Sequence, residues 1–269
     1  MQKILIFTDL DGSLLNRDTF KFDEIKEYLK KLLSNGIYII PNTSKTEKEI
    51  LEFNNELGSS LPFISENGAI IKGLDLLNSN LPKELILSRG KVNLKNIFKE
   101  SVPSDLQTKC KWLSEMDTKK QSLIFGLKDE KLKIALDRKY SIPFIFEGTK
   151  NEKKELSKIV KKKGLTLQEG GRVINLTDKV NKAKALQVFV RFYRKNNKNV
   201  KIIAVGDNYN DLDMLKVSDF PCLVFNDKFT LDEIHIDNLI ITNKPSPEGW
   251  ADVIKIALVK INKINKSNT

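Results

Sequence analysis

Short apolar runs alternate with amphipathic stretches at both ends of this chain, and that alternation leaves few folds open to it. "KILIFTD", from Lys3, reads as a buried strand. "FDEIKEYLKKLLSNG" sets Ile25, Tyr28, Leu29, Leu32 and Leu33 at helical spacing and stops at Gly36. "IYIIPNT" is a second strand, "KTEKEILEFNNELG" a helix, and "PFISENGAII" a third strand with a turn signal inside it. A βαβαβ order of this kind is the signature of a parallel sheet with crossover helices. The C-terminal third resumes the rhythm: "NKAKALQVFVRFYRKNN" as helix, "NVKIIAVGD" as strand, "NDLDMLKVS" as short helix, "FPCLVFND" and "NLIITN" as strands, and "PEGWADVIKIALVKIN" as a helix opening on Pro247 and Glu248. The expected fold class is therefore α/β, a doubly wound parallel-sheet core, if the chain returns to one sheet. Residues 1–82 and 171–269 would form it, with residues 83–170 as an inserted α+β domain in which "QSLIFGL" and "IPFIFEG" look like strands and "NEKKELSKIVKKKG" like a helix.

Composition removes several function classes. No apolar run approaches the roughly 18 to 20 residues of a membrane span, and the first residues lack a small-residue cleavage site, so a cytoplasmic protein away from membranes is expected. Cys110, Cys222 and the single His235 have no metal-ligand spacing, which disfavours a zinc site or a Cys/His nucleophile pair. The net charge of +11 comes from lysines scattered along polar helix faces, so no nucleic acid partner is expected. Nothing in the sequence sets the oligomeric state.

Ligands of open parallel sheets bind outside the carboxyl ends of the strands. Four polar clusters fall there: "DLDGS" after the first strand, "NTSKT" after the second, "NKAK" at a helix start and "GDNYND" after the later strand. Each alone has an ordinary explanation, since "TS" is a common helix cap and a lone lysine is usually a solvated residue. Their order on successive strand ends is what carries meaning. Asp9, Asp11 and Asp207 make an oxygen-only set suited to a hard cation such as Mg2+. Asp9 and Asp11, two apart, leave a strand on the same side, so one carboxylate can attack phosphorus while the other moves protons, and Gly12 lets the chain turn behind them. Thr43 or Ser44 can donate a hydrogen bond to a phosphoryl oxygen, Lys182 can supply positive charge, and Asn210 and Asp211 can orient metal water and Lys182 from behind.

With these motifs the chain resembles the haloacid dehalogenase superfamily of phosphatases, over almost its whole length. The resemblance implies Asp9 as nucleophile, Asp11 as general acid/base, and Mg2+ held by Asp9, the main-chain carbonyl of Asp11, and Asp207. "FTDLDGSLL", "TSKT", "FISENGA", "RKYSIPF", "EGGRVINL" and "PEGW" are similar to the narrower mannosyl-3-phosphoglycerate phosphatase family, whose α/β cap is inserted after the third core strand. That likeness implies a hexosyl phosphoglycerate substrate, mannosyl or glucosyl. Lys45, Asn67, Arg138 and Arg172 are the anion and hydroxyl binders the sequence offers for it, while Glu66 reads as a turn residue and Trp250 as a packing anchor. Against the family pattern, Ser13 stands for threonine, Ala183 for glycine and Ile142 for an acidic residue, and Ile142 is expected on the cap surface facing the sugar. Two alternatives stay open: another sugar phosphatase, such as one similar to the sucrose-phosphate phosphatases, and a basic nucleic-acid-binding protein on a disused phosphatase core.

Overall fold

The structure is a computed structural model and describes residues 2–169, 172–227 and 235–267. Its elements run β1 (Lys3–Thr8), α1 (Lys26–Ser34), β2 (Tyr38–Pro41), α2 (Glu47–Leu57), β3 (Phe63–Ser65), β4 (Ile70–Lys72) and β5 (Glu84–Ile86). Then come α3 (Lys91–Ser101), α4 (Ser104–Thr108), β6 (Cys110–Trp112), α5 (Thr118–Phe125), α6 (Asp129–Leu136), β7 (Ser141–Phe146), α7 (Lys150–Lys162), β8 (Leu165–Glu169) and β9 (Ile174–Asp178). The chain ends with α8 (Lys182–Arg194), β10 (Val200–Gly206), α9 (Leu212–Lys216), β11 (Phe220–Leu223), β12 (Ile240–Ile241) and α10 (Glu248–Ser267).

The two ends of the chain do build one sheet, five parallel strands in the order β12-β11-β10-β1-β2. Successive side chains of a strand point to opposite faces, and here both faces are apolar. Ile6, Ile39, Ile203 and Val205 pack with Leu29, Ile50, Trp250 and Ile254 of α1, α2 and α10. Leu5, Phe7, Ile40, Ile202 and Ala204 pack with Leu186 and Phe189 of α8 and Met214 and Leu215 of α9. Each such aliphatic burial is worth about 1.5–3 kcal/mol, and helices on both faces are what a parallel sheet of this kind requires. No helix among the described residues is long and apolar enough to cross a membrane.

The stretch "PFISENGAII" forms a hairpin: β3 and β4 pair antiparallel around Glu66 and Asn67, both at positive φ, and β5 adds a third strand. A parallel bridge between Asn42 and Ile64 ties β3 to the end of β2. The second region is an antiparallel sheet in the order β6-β7-β9-β8 with its own core of Leu94, Phe98, Trp112, Phe144, Leu156, Val160 and Leu176.

Three expectations change here. "QSLIFGL" is mostly helix α5, because Asp117 caps its start through Lys120 N and Gly126 ends it at φ +67. Ile142 is only 8% exposed and belongs to the apolar core of the antiparallel sheet, which explains why an acidic side chain is absent there. The 83–170 boundary falls between β8 and β9, which are paired strands of one sheet, so that sheet continues to Asp178.

Candidate active site

The strand ends gather the carboxylates. β1 delivers Asp9, whose amide continues the sheet by donating to Val205 O at 2.9 Å. β10 delivers Asp207, and Gly206 beside it is obligatory, because a Cβ there would stand 2.3 Å from the Cβ of Asp211 as that residue folds back. Asp211 Oδ2 accepts from Asp207 N at 3.1 Å and Asn208 N at 3.2 Å. Ligand oxygens of Asp9, Asp207 and Asp211, all buried, lie within 4.8 Å of one another. Lys182, the first residue of α8, is 2% exposed and reaches into the cluster, with Nζ 2.7 Å from Asp211 Oδ1 and 3.0 Å from Asp9 Oδ1. Burial alone would pull its pKa down, but Asp211 and Asp9 outweigh burial and hold it above the ordinary lysine value.

Asp207 is held from three sides: Ser13 Oγ donates to Oδ1 at 2.9 Å, Asn226 Nδ2 to Oδ2 at 3.1 Å, and Arg17 pairs with Oδ2. Gly12, at φ +78, makes room for this, since a Cβ would sit 2.8 Å from Asp207 Oδ2 and 2.9 Å from Arg17 Nη2. Even so, burial together with the charges of Asp211 and Asp9 pushes the Asp207 carboxyl up to about 7. Burial raises Asp211 as well, with Lys182 opposing.

Asp11 stands apart from the three-carboxylate cluster. Its side chain is 40% exposed, its Oδ1 lies 3.0 Å from Lys45 Nζ, and its carboxyl is raised by desolvation, with Lys45 opposing and Asp9 adding to the rise. A raised carboxyl is suited to donating a proton.

The loop after β2 completes this end of the sheet. Thr43 is 1% exposed, and its N and O bond to Ile64 O (3.1 Å) and Asn67 N (2.9 Å). Lys45 lies between Asp11 and Glu49 Oε1 (3.2 Å), with its ammonium 5.0 Å from the centre of the Phe20 ring. Trp250 is fully buried and donates to Thr8 Oγ1 at 2.9 Å, so the packing anchor also holds the residue preceding Asp9.

Other expected site residues take different places. Arg138 is 7% exposed and turned into the protein, its Nη1 donating to Ser44 O at 3.0 Å and Ser141 Oγ at 3.1 Å. Arg172 is exposed, its guanidinium against Gly126 at the end of α5. Asn210 is exposed; Asn208 instead caps the turn, accepting from Tyr209 N at 2.8 Å. The sequence reading missed Arg17, Asn226, Glu49 and Glu66. Asn226 sits just past β11, so the strand-end rule could have found it; Glu66 had only its place in a turn.

The donors fit a hard divalent cation. They are all oxygen, as a hard cation prefers, and the raised Asp207 carboxyl marks negative charge short of compensation by Lys182 and Arg17.

The chain, an α/β core with strand-end carboxylates around a buried lysine, belongs to the haloacid dehalogenase-like hydrolases, whose family model matches residues 6–253. It is 30% identical to the glucosyl-3-phosphoglycerate/mannosyl-3-phosphoglycerate phosphatase of Persephonella marina, over 97% of this chain and 99% of that one. It is 31% identical to the protein of the same description from Methanococcoides burtonii, over 97% and 100%. In fold it matches the crystal structure of Thermoplasma acidophilum 0175 with a TM-score of 0.68 at 16% identity, covering 95% of this chain and 98% of that one. The chain is a phosphoric monoester hydrolase.

Proposed function

We propose that the chain is a Mg2+-dependent phosphatase that converts mannosyl-3-phosphoglycerate, or its glucosyl analogue, to the hexosylglycerate and phosphate. The observation that carries the phosphoryl chemistry is the convergence on Lys182, whose ammonium touches both Asp9 and Asp211. Similarity to the two phosphatases over nearly the full length supports the substrate class.

In this reading an Asp9 oxygen attacks phosphorus and the bond to the ester oxygen breaks, leaving an aspartyl phosphate. Asp11 gives its proton to the departing alkoxide and then takes one from the water that attacks the phosphorus, which restores Asp9 and releases phosphate. Thr43 and Ser44 donate to phosphoryl oxygens, and Lys182 neutralises them while holding Asp9 in place. Asp9, Asp207 and the main-chain carbonyl of Asp11 would hold Mg2+, which supplies further neutralisation of phosphoryl charge. Asp211 fixes Lys182; Lys45, Asn67 and Arg172 remain the candidates for the glycerate and sugar groups.

Phosphate release from mannosyl-3-phosphoglycerate, glucosyl-3-phosphoglycerate and sucrose 6-phosphate tests the proposal. Turnover of at least one of the first two, well above sucrose 6-phosphate, is expected; the reverse preference would overturn the substrate assignment and leave the phosphatase in place.

A further inference from the structure

Glu66 occupies a position that turn chemistry alone does not explain. It is a bulky acid at φ +47, only 3% exposed, and among the described residues no ammonium or guanidinium pairs with it directly. Its carboxylate instead collects three donors from the segment leading into β7: Lys139 N at 2.9 Å on Oε1, and Tyr140 N at 3.1 Å and Ser141 Oγ at 2.6 Å on Oε2. A buried carboxylate needs such donors, and charged hydrogen bonds of this kind are among the stronger ones available to a protein.

The Ser141 hydroxyl has a fixed direction as a result. It donates to Glu66, so its oxygen is free to accept from Arg138 Nη1 at 3.1 Å, and the same nitrogen donates to Ser44 O at 3.0 Å. The other side of the joint is made by main chain: Glu66 N donates to Lys45 O at 3.0 Å and Asn67 N to Thr43 O at 2.9 Å. The loop carrying Thr43, Ser44 and Lys45 is thus gripped at three successive carbonyls. Two grips come from the β3–β4 turn, and the third from Arg138 through a chain of hydrogen bonds that ends on the same turn.

We propose that Glu66, Ser141 and Arg138 are positioning residues that hold the Thr43–Lys45 loop in phosphate-binding register with the segment entering β7. This rests on the reading of Thr43 and Ser44 as phosphoryl donors. A displacement of the loop would misplace both hydroxyls relative to Asp9, and a misplacement of about 1 Å lowers rates by about 100-fold. The relay acts on the phosphoryl group itself, so its loss should appear with any phosphomonoester, whatever the leaving group.

The test uses the full chain, p-nitrophenyl phosphate as substrate and inorganic phosphate as competing ligand. Ser141→Ala, Glu66→Gln and Arg138→Lys should each lower kcat by about tenfold or more, and should weaken inhibition by phosphate. The double variant Ser141→Ala/Glu66→Gln should be little worse than the poorer single variant, as expected of residues acting in one chain. Ser141→Thr, which keeps the hydroxyl, should recover most of the rate and serves as the folded reference if Glu66→Gln does not fold. Thr43→Val calibrates the loop. Should Thr43→Val be impaired while Ser141→Ala has full kcat and unchanged phosphate inhibition, the relay is overturned and the loop assignment survives; should Thr43→Val itself be unimpaired, both fall. A drop in thermal midpoint with rate and phosphate inhibition intact would also overturn the relay, leaving a structural contact.

Discussion

Two regions of this molecule bury acid groups, and they treat them in opposite ways. At the strand ends Asp9, Asp207 and Asp211 crowd within 4.8 Å, and the Asp207 carboxyl is pushed up to about 7. At the joint beside β7, Glu66 is equally buried yet receives three donors from one short segment. The first arrangement stores repulsion that a ligand can relieve; the second is satisfied within the protein. Burial of a carboxylate therefore does not mark chemistry by itself. What marks it is charge left uncompensated after the protein's own donors and cations are counted.

The largest effects should come from breaking the uncompensated cluster. Asp9→Asn is expected to lower kcat by about 10⁴-fold or more. Its thermal midpoint should hold or rise, since the amide ends repulsion with Asp207 and Asp211 while Lys182 keeps Asp211. An Asp9→Asn protein with near-normal turnover would remove the nucleophile assignment. Chelation by EDTA should bring turnover to background and added Mg2+ should restore it; Mg2+ should also raise the thermal midpoint, and less so in Asp207→Asn. Lys182→Ala acts on both activity and stability, because it leaves two buried carboxylates without their ammonium. A destabilisation of about 3 kcal/mol by chemical denaturation is expected, and a stable Lys182→Ala protein would mean that the cluster is less charged than its geometry implies.

How much of this was legible in the sequence follows the same division. The core could be read because each strand is a continuous apolar run and each crossover helix has a regular stripe, as at Leu29 and Leu32 in α1. That Asp9, Asp207 and Asp211 lie together was legible because strand ends in a parallel sheet converge by topology; Lys182 joins them from the first turn of α8. The antiparallel region was read less well. Leu123, Ile124 and Phe125 form an apolar run that suits a strand, yet the cap at Asp117 and the stop at Gly126 make it a helix, with Leu123 85% exposed. Ile142 is expected toward the sugar because alternation in β7 gives no hint of which face meets α3 and α7; Arg138, expected as an anion binder, precedes β7 and is turned inward by its bonds to Ser44 O and Ser141 Oγ. The role of Glu66 beyond its turn was illegible for a different reason: its three donors lie more than 70 residues away in sequence, and no local pattern encodes them.

The smallest expected effect comes from a satisfied pair with no part in the chemistry. Arg89, just before α3, and Asp178, at the end of β9, join the two passages of the chain between the sheets, with Nε–Oδ2 at 2.8 Å and Nη2–Oδ1 at 2.7 Å. Burial would raise the Asp178 carboxyl, but the hydrogen bonds from Arg89 overcome it and hold the pKa down at about 2, below the ordinary 3.8. A depressed carboxylate pKa contributes stability that is fully present above the unfolded value and lost as pH falls through the folded one. Arg89→Ala should therefore lower stability by about 1–2 kcal/mol near neutral pH, with hydrolysis of p-nitrophenyl phosphate little changed. The difference from the unmodified protein, followed by urea denaturation, should stay constant down to about pH 4 and shrink below it. A difference that persists undiminished in acid would assign the loss to the Arg89 contact with Gly164 O at 3.1 Å, which does not titrate, and would take the ion pair out of the account of how the two regions are held together.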